Sequence, residues 1–126
     1  MHIDHLDHLV LTVADIDRSC LFYSQILGMK VITFNGNRKA LRFGQQKINL
    51  HPAGGEYPPT AAHPTPGSAD LCLIATTPLD VVMTELRDRD IDIIDGPVQR
   101  TGATGPMLSV YIRDPDGNLI EIANTR

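Results

Sequence analysis

Residues 9–28, LVLTVADIDRSCLFYSQILG, and residues 71–90, LCLIATTPLDVVMTELRDRD, follow one pattern, and that pattern decides the fold. Each stretch begins with a short apolar strand and continues into a helix whose apolar residues recur at spacings of three and four. Turn signals such as Asn35-Gly36 and Asp116-Gly117 help to divide the following apolar runs into three strands. The chain therefore has the order β-α-β-β-β twice, which indicates an internal duplication and an α+β fold.

A proline-rich segment separates the two halves. Residues 52–68, PAGGEYPPTAAHPTPGS, contain five prolines and three glycines, which forbid a helix and discourage strand pairing. We expect module one at 1–51, this segment as a linker and module two at 69–126, together one domain because of the chain's length. In module two, Thr77 and Asp80 predict a capped start of the second helix. The expected strands are 5–13, 29–34, 40–43, 46–51, 70–75, 98–100, 108–113 and 119–123.

The composition argues against several classes of protein. The chain has 11 Lys and Arg against 15 Asp and Glu, a net charge of -4, whereas a nucleic-acid-binding surface needs a basic excess. No apolar run approaches the roughly 18–20 residues that span a bilayer, and the first residues do not resemble a secretory signal. Cys20 and Cys72 lie in apolar segments without a CxxC spacing, so we expect both to be reduced and buried. We therefore predict a cytoplasmic protein that binds neither nucleic acid nor membrane.

The duplication indicates which polar residues share a face, because strand side chains alternate between the two sides of a sheet. His8 heads the first strand where Asp70 heads the fifth, and Asn49 occupies the position of Glu121. His51 lies two residues beyond Asn49 and therefore on the same face. We expect Glu121 to point into a cavity that it shares with His8, Asp70 and His51.

These four side chains are donors that suit a metal. Two imidazoles with one or two carboxylates favour a divalent transition metal such as Fe, Mn, Ni, Zn or Co. Three or four protein ligands would leave positions for water or a bidentate substrate. The structural alternatives are a hydrogen-bonded core residue for His8, a solvent-facing carboxylate for Glu121, an ordinary strand end for His51 and a strand cap for Asp70.

Other polar residues have a functional and a structural interpretation. Arg100 and Arg113 either pair with an anionic group of a substrate or are ordinary charges on surface strands. The loop TGATGP, residues 101–106, has glycines that can expose backbone N–H groups to an anion. His5 has the opposite strand parity to His8 and is expected to face away from it. His63 lies in the proline-rich segment and is expected to be solvated.

Two stretches carry a resemblance to a known family, residues 7–31, DHLVLTVADIDRSCLFYSQILGMKV, and residues 113–122, RDPDGNLIEI. They resemble the vicinal oxygen chelate superfamily, which includes glyoxalase I, extradiol dioxygenases and bleomycin and fosfomycin resistance proteins. Residues 38–54, RKALRFGQQKINLHPAG, and residues 96–122 are most similar to the small glyoxalase domain-containing proteins. The resemblance implies paired βαβββ modules that form an open, cupped mixed β-sheet around a divalent metal. It also implies a homodimer, often with the cup completed across two chains.

The resemblance transfers two ligands and leaves others open. His8 matches the family's first-strand histidine and Glu121 its last-strand glutamate. Asp70 stands where the family more often has His, Asn49 where glyoxalase I has Glu, and Thr12 where glyoxalases have an arginine near glutathione. Either His51 or Asp70 would be the third ligand, and Asn49, Arg100 and Arg113 are candidate substrate contacts.

The expected function is a metal-dependent lyase or isomerase, like lactoylglutathione lyase, acting on a small substrate that chelates through two oxygens. Glu121 would be a ligand and a proton shuttle, since the metal would stabilise an enediolate-like anion. One alternative is an extradiol dioxygenase acting on a diol such as biphenyl-2,3-diol. Another, outside the enzymes, is a protein that sequesters a small molecule or drug without metal.

Overall fold

Two four-stranded mixed sheets, each with one helix, make up the fold. In the computed structural model, which describes residues 1–126, they belong to two compact units, residues 1–67 and residues 68–126. The predicted α+β class and the repeated order β-α-β-β-β are confirmed. Both helices are ten residues long, and neither is long or apolar enough to cross a lipid bilayer.

The first unit has the strand order β1-β4-β3-β2. Its elements are β1 (His8–Val13), α1 (Ile16–Gln25), β2 (Lys30–Phe34), β3 (Arg38–Phe43) and β4 (Gln46–Pro52). Strand β1 runs parallel to β4, whereas the other pairs are antiparallel. Gly28 follows α1 with φ +69°, a conformation that favours glycine after a helix end.

The second unit repeats this topology with the order β5-β8-β7-β6. Its elements are β5 (Asp70–Ile74), α2 (Leu79–Asp88), β6 (Asp95–Gly102), β7 (Gly105–Arg113) and β8 (Leu119–Thr125). The register is conserved between the units, because Val10 lies opposite Asn49 in one and Cys72 opposite Glu121 in the other. The equivalence of positions 49 and 121 therefore holds in the backbone.

One face of each sheet supplies the core. In the first unit, α1 lies against β2, β3 and β4, and it buries Tyr23 while Leu41 and Ile48 are buried on the strands. In the second, α2 lies against β7, and Val110 and Ile120 are fully buried. Burying each such aliphatic side chain contributes about 1.5–3 kcal/mol. The side chains of opposite parity, which include Asn49 and Glu121, are thereby placed on the other face of each sheet.

The turn before β8 is tied to the start of β5. Asp114 Oδ1 accepts hydrogen bonds from the backbone N–H groups of Asp116 and Asn118, both at 2.9 Å, and its Oδ2 accepts one from the Asn118 amide at 2.8 Å. Asn118 Oδ1 in turn accepts a hydrogen bond from the N–H of Ala69 at 2.8 Å. The residue before Asp70 is therefore held beside the residue before Leu119.

The predicted cap of α2 is wrong. Pro78 occupies the N-cap position, and no side chain there accepts a hydrogen bond from the helix. The start of α2 is instead held by Asn124 of β8, whose Oδ1 accepts from Leu79 N–H at 2.7 Å. Its Nδ2 donates to the carbonyls of Ala75 and Thr77 at 3.1 and 2.9 Å. Asn124, which is distant in sequence, therefore provides the cap that was expected from Thr77.

Several strand boundaries also differ from the prediction. Strand β1 begins at His8, opposite Lys47 of β4, so His5 precedes the strand and its parity decides nothing. Residues 101–106 are not an open loop, because Thr101 pairs with Pro106 and Gly102 with Gly105 in a tight hairpin. Strand β6 begins at Asp95 rather than at residue 98. Its second residue must be glycine, since a Cβ on Gly96 would lie 2.4 Å from the carbonyl oxygen of Ser109.

Candidate functional site

A row of polar side chains crosses the second sheet opposite its helix. Glu121 of β8 lies between Cys72 of β5 and Tyr111 of β7, and Tyr111 is paired with Asp95 of β6. Glu121 is half-buried, and its Oε2 is buried without a hydrogen-bond partner. A buried carboxylate oxygen without a donor is costly, so each such atom calls for an explanation, such as a bound ion.

Cys72 is a thiol that interacts with Glu121. Its side chain is exposed, so the expectation that both cysteines are buried is wrong for Cys72, while Cys20 is half-buried and both are free. Partial loss of water around the sulfur, the charge of Glu121 and the hydrogen bond to Glu121 raise the pKa of Cys72 to about 11. The thiol is therefore protonated near neutral pH and donates to the carboxylate instead of acting as a nucleophile.

Arg100 and Arg113 have different surroundings. Arg100 Nε donates to the Tyr111 hydroxyl at 2.9 Å, and this bond is the main reason that the pKa of Arg100 is raised. The charge of Glu121 contributes in the same direction. Arg113 instead donates to the carbonyl of Gly117 at 3.3 Å, within the turn that precedes β8. Of the two arginines, it is Arg100 that joins the row around Glu121.

His8 begins the first strand with one ring nitrogen engaged. Its Nδ1 lies 2.8 Å from Asp7 Oδ2, and this hydrogen bond is the main reason that the pKa of Asp7 is lowered. The His8 side chain is 42% exposed, and no contact occupies its Nε2. Carboxylates commonly orient metal-binding histidines in this manner. Asp70, which occupies the equivalent strand position in the second unit, is exposed.

His51 is surrounded differently from His8. It is 5% exposed, its Nε2 lies 3.4 Å from Arg38 Nη2, and the ring of Tyr57 meets it edge-on at 5.1 Å. Burial, and secondly the charge of Arg38, lower the pKa of His51, so the imidazole is neutral at pH 7. A cation bound at Nε2 would face a guanidinium.

Asn49 presents a second buried acceptor at the position equivalent to Glu121. It is buried on β4, and its Oδ1 has no hydrogen-bond partner. Both units therefore direct an unpartnered oxygen from the same place in their sheets. Within this single chain, no group of three His, Cys, Asp or Glu side chains is arranged to hold a metal ion.

Arg38, Tyr57 and Cys72 were not singled out by the sequence. Arg38 was outside the predicted strand, although its position just after the hairpin turn at Asn35-Gly36 places it opposite the end of β4. Tyr57 lies in the proline-rich segment, where no periodicity predicts a contact. Cys72 could have been found from the sequence. It is the equivalent of Val10 in the repeat, and Val10 lies beside Asn49 as Cys72 lies beside Glu121.

Two tandem βαβββ units, each a four-stranded mixed sheet with one helix, are typical of glyoxalase-like proteins. The chain belongs to the Glyoxalase/Bleomycin resistance protein/Dioxygenase superfamily, whose family model matches residues 5–122.

Two relatives are similar over most of the chain. Virulence protein STM3117 of Salmonella typhimurium is 58% identical over 123 residues, which cover 98% of this chain and 85% of the relative. The crystal structure of that protein has a TM-score of 0.99 with 57% identity, covering 100% of both chains. The glyoxalase domain-containing protein RDO1 of Mycosarcoma maydis is 50% identical over 119 residues, which cover 94% of this chain and 67% of RDO1.

More distant structures show the fold alone. A lactoylglutathione lyase from Agrobacterium tumefaciens has a TM-score of 0.75 at 22% identity and covers 98% of this chain and 95% of its own. TnmS3, an antibiotic-binding protein from Streptomyces sp. CB03234, has a TM-score of 0.76 at 22% identity, with coverages of 100% and 99%.

Proposed function

We propose that the protein is a divalent-metal-dependent lyase or isomerase whose small substrate chelates the metal through two neighbouring oxygens. The observation that carries this proposal is Glu121 Oε2, a buried acceptor that no protein donor reaches. A metal ion would supply the missing positive partner. His8 supports the same interpretation, because Asp7 engages Nδ1 and leaves Nε2 for a ligand bond.

The surroundings of each donor favour one set over the others. His8 and Glu121 are the two ligands that we propose first, with Asp70 as a further carboxylate. His51 is omitted from the set because its Nε2 faces the Arg38 guanidinium at 3.4 Å. Such mixed nitrogen and oxygen donors suit Fe, Mn, Ni, Zn or Co. Since no three such donors come together within the single chain, a second copy of the chain would complete the set.

The bound metal would supply Lewis acidity that stabilises negative charge on the substrate oxygens. Glu121 would take the proton from the carbon next to the carbonyl and return it to the neighbouring carbon. The Cys72 thiol donates to Glu121 and so orients the carboxylate. Because Arg100 donates to the oxygen of the Tyr111 hydroxyl, the hydroxyl hydrogen remains available to a substrate oxygen.

We also propose a homodimer. Val10 and Ile74 are exposed by 44% and 55%, and each lies on the same side of its strand as the polar residues of the site. Exposed apolar side chains beside a polar site are typical of surfaces that a partner or a ligand covers. The two unpaired cysteines fit a reducing compartment such as the cytoplasm.

A metal-free small-molecule-sequestering protein is the second candidate. The exposed Val10 and Ile74 favour it, since they could contact an apolar ligand. TnmS3, an antibiotic-binding protein with the same fold, supports this candidate by analogy of fold. A ring-cleaving dioxygenase is distinguished from the lyase by its dependence on Fe(II) and by cleavage of a catechol.

Metal analysis with matched variants tests the proposal. Protein purified without added metal is expected to contain or take up about one divalent ion per chain, and Glu121→Gln and His8→Ala are expected to lose it. Glu85→Gln, an exposed change on α2, is the control. The reconstituted parent is assayed on the methylglyoxal–glutathione hemithioacetal and on a catechol, and Glu121→Gln should lower kcat/KM by about 10²–10⁴-fold. Unchanged metal affinity in both site variants would exclude these residues as ligands.

A further inference from the structure

Arg38 is a guanidinium without an anion in a protein that is rich in carboxylates. The chain contains 15 Asp and Glu, yet none of them lies within ion-pair distance of Arg38. Glu56, an acid whose charge acts on His51, accepts from the N–H of Gly54 at 3.0 Å. Arg38 is half-buried, and its Nε is buried without an acceptor. A charged donor in this condition is expected to have a partner that is not part of the polypeptide.

The guanidinium is held in place by rings instead of by charge. Its central carbon lies 4.3 Å from the centre of the Tyr57 ring and 5.2 Å from that of Phe34. Lys47 also contacts Phe34, with its Nζ 4.2 Å from the centre of that ring. Cation–π contacts orient a guanidinium but leave its N–H groups free to donate. The result is a fixed positive group whose Nε–H has no acceptor.

The neighbouring histidine completes a polar pair. His51 Nε2 is 3.4 Å from Arg38 Nη2, a long contact that an incoming oxygen could replace. Nε and Nη2 form one edge of the guanidinium, and two parallel N–H groups along an edge match the two oxygens of a carboxylate. His51 and Asn49 lie two residues apart on one face of β4, about 7 Å along the strand. The pair is therefore close to the buried Asn49 oxygen.

We propose that Arg38, with His51 and Tyr57, binds the carboxylate group of a small anion. Tyr57 belongs to the proline-rich segment, which thereby contributes a wall to the site. That this carboxylate is part of the substrate, making the substrate an α-keto or α-hydroxy acid, rests on the function proposed above. The binding site itself requires only residues of the first unit.

Titration of metal-free protein tests the site with pyruvate, followed by calorimetry and by the side-chain Nε–H resonance of arginine. The parent is expected to bind pyruvate saturably and to shift the Arg38 resonance. Arg38→Met should weaken binding roughly tenfold or more, and Arg38→Lys should also weaken it because lysine lacks the two-donor edge. Arg42→Met, an exposed change four residues along β3, is the matched control.

Three results would overturn the site: no saturable binding to the parent, equal binding by correctly folded Arg38→Met, or tighter binding of inorganic phosphate than of pyruvate. Folding is monitored by circular dichroism, and Arg38→Lys retains a test should Arg38→Met unfold. Glu121→Gln should keep its pyruvate affinity. A protein that binds pyruvate at Arg38 but takes up no metal would refute the enzyme proposed above and leave this site intact.

Discussion

The two units share a backbone and differ in the chemistry on it. Counting from the paired positions Ala40–Asn49 and Tyr111–Glu121, Arg38 and His51 of the first unit correspond to Ser109 and Ala123 of the second. Ser109 and Ala123 are both fully buried. The first unit therefore carries a cation and an imidazole where the second has two small side chains. The second instead carries the thiol, carboxylate and phenol of Cys72, Glu121 and Tyr111.

The position shared by Asn49 and Glu121 is polar in both units despite this division. Asn49 Oδ1 and Glu121 Oε2 are unpartnered buried acceptors at the same place in the two sheets. The repeated strand register thus determines where an acceptor is placed, whereas the residue type determines its charge. A neutral amide oxygen suits a substrate contact, and a carboxylate suits a cation and a proton.

Truncating core residues should have the largest effect on stability, and it tests whether the two units are equally well packed. Ile48 and Ile120 occupy equivalent positions and both are fully buried. We expect Ile48→Ala and Ile120→Ala each to lower the free energy of unfolding by about 2–5 kcal/mol, since each leaves a cavity. Urea denaturation measures both values. A clear loss in one unit and none in the other would show that the equivalence does not extend to packing.

Removing the side chains that cap the two helices should have a smaller effect on stability, and it compares how each helix begins. Asp15 caps α1 locally by accepting from Arg18 N–H at 3.0 Å, whereas α2 depends on Asn124 of β8. Asp15→Ala should cost about 1 kcal/mol. Asn124→Ala should cost more, about 1–3 kcal/mol, because it leaves part-buried groups without partners. Thermal denaturation in which Asp15→Ala is the more damaging change would contradict this order.

The smallest expected effect concerns His51, whose equivalent in the second unit is Ala123. Burial and Arg38 keep the pKa of His51 below its ordinary value of 6.5, so the unfolded chain binds more protons there. The stability that this neutral imidazole provides is present above pH 6.5 and is lost as the pH falls through the folded pKa. We expect His51→Gln to flatten the fall in stability below pH 6.5, as followed by urea denaturation at several pH values. His63→Gln, in the exposed loop, should keep the parent slope.

The sequence predicted the elements that depend on local pattern and on the repeat. Alternation and turn signals located all eight strands, and the alignment of Ile48-Asn49-Leu50 with Ile120-Glu121-Ile122 agrees with the observed register. The pairing of Arg38 with His51 and Tyr57 was missed because it combines a strand end with a loop whose path has no period. Asn124 was missed as a cap because its partner Leu79 is 45 residues away.

The hydrogen bond from Ala69 to Asn118 has a consequence for how firmly the strands are aligned. A slip of β5 by one residue along β8 would turn Cys72 toward the helix and bring an apolar neighbour beside Glu121. Because Ala69 N–H is bonded to the side chain of Asn118, which Asp114 anchors, such a slip would break a connected set of hydrogen bonds that are buried or part-buried. The turn thus fixes the register of β5 against β8. This register keeps Cys72 beside Glu121, and any chemistry at Glu121 depends on it.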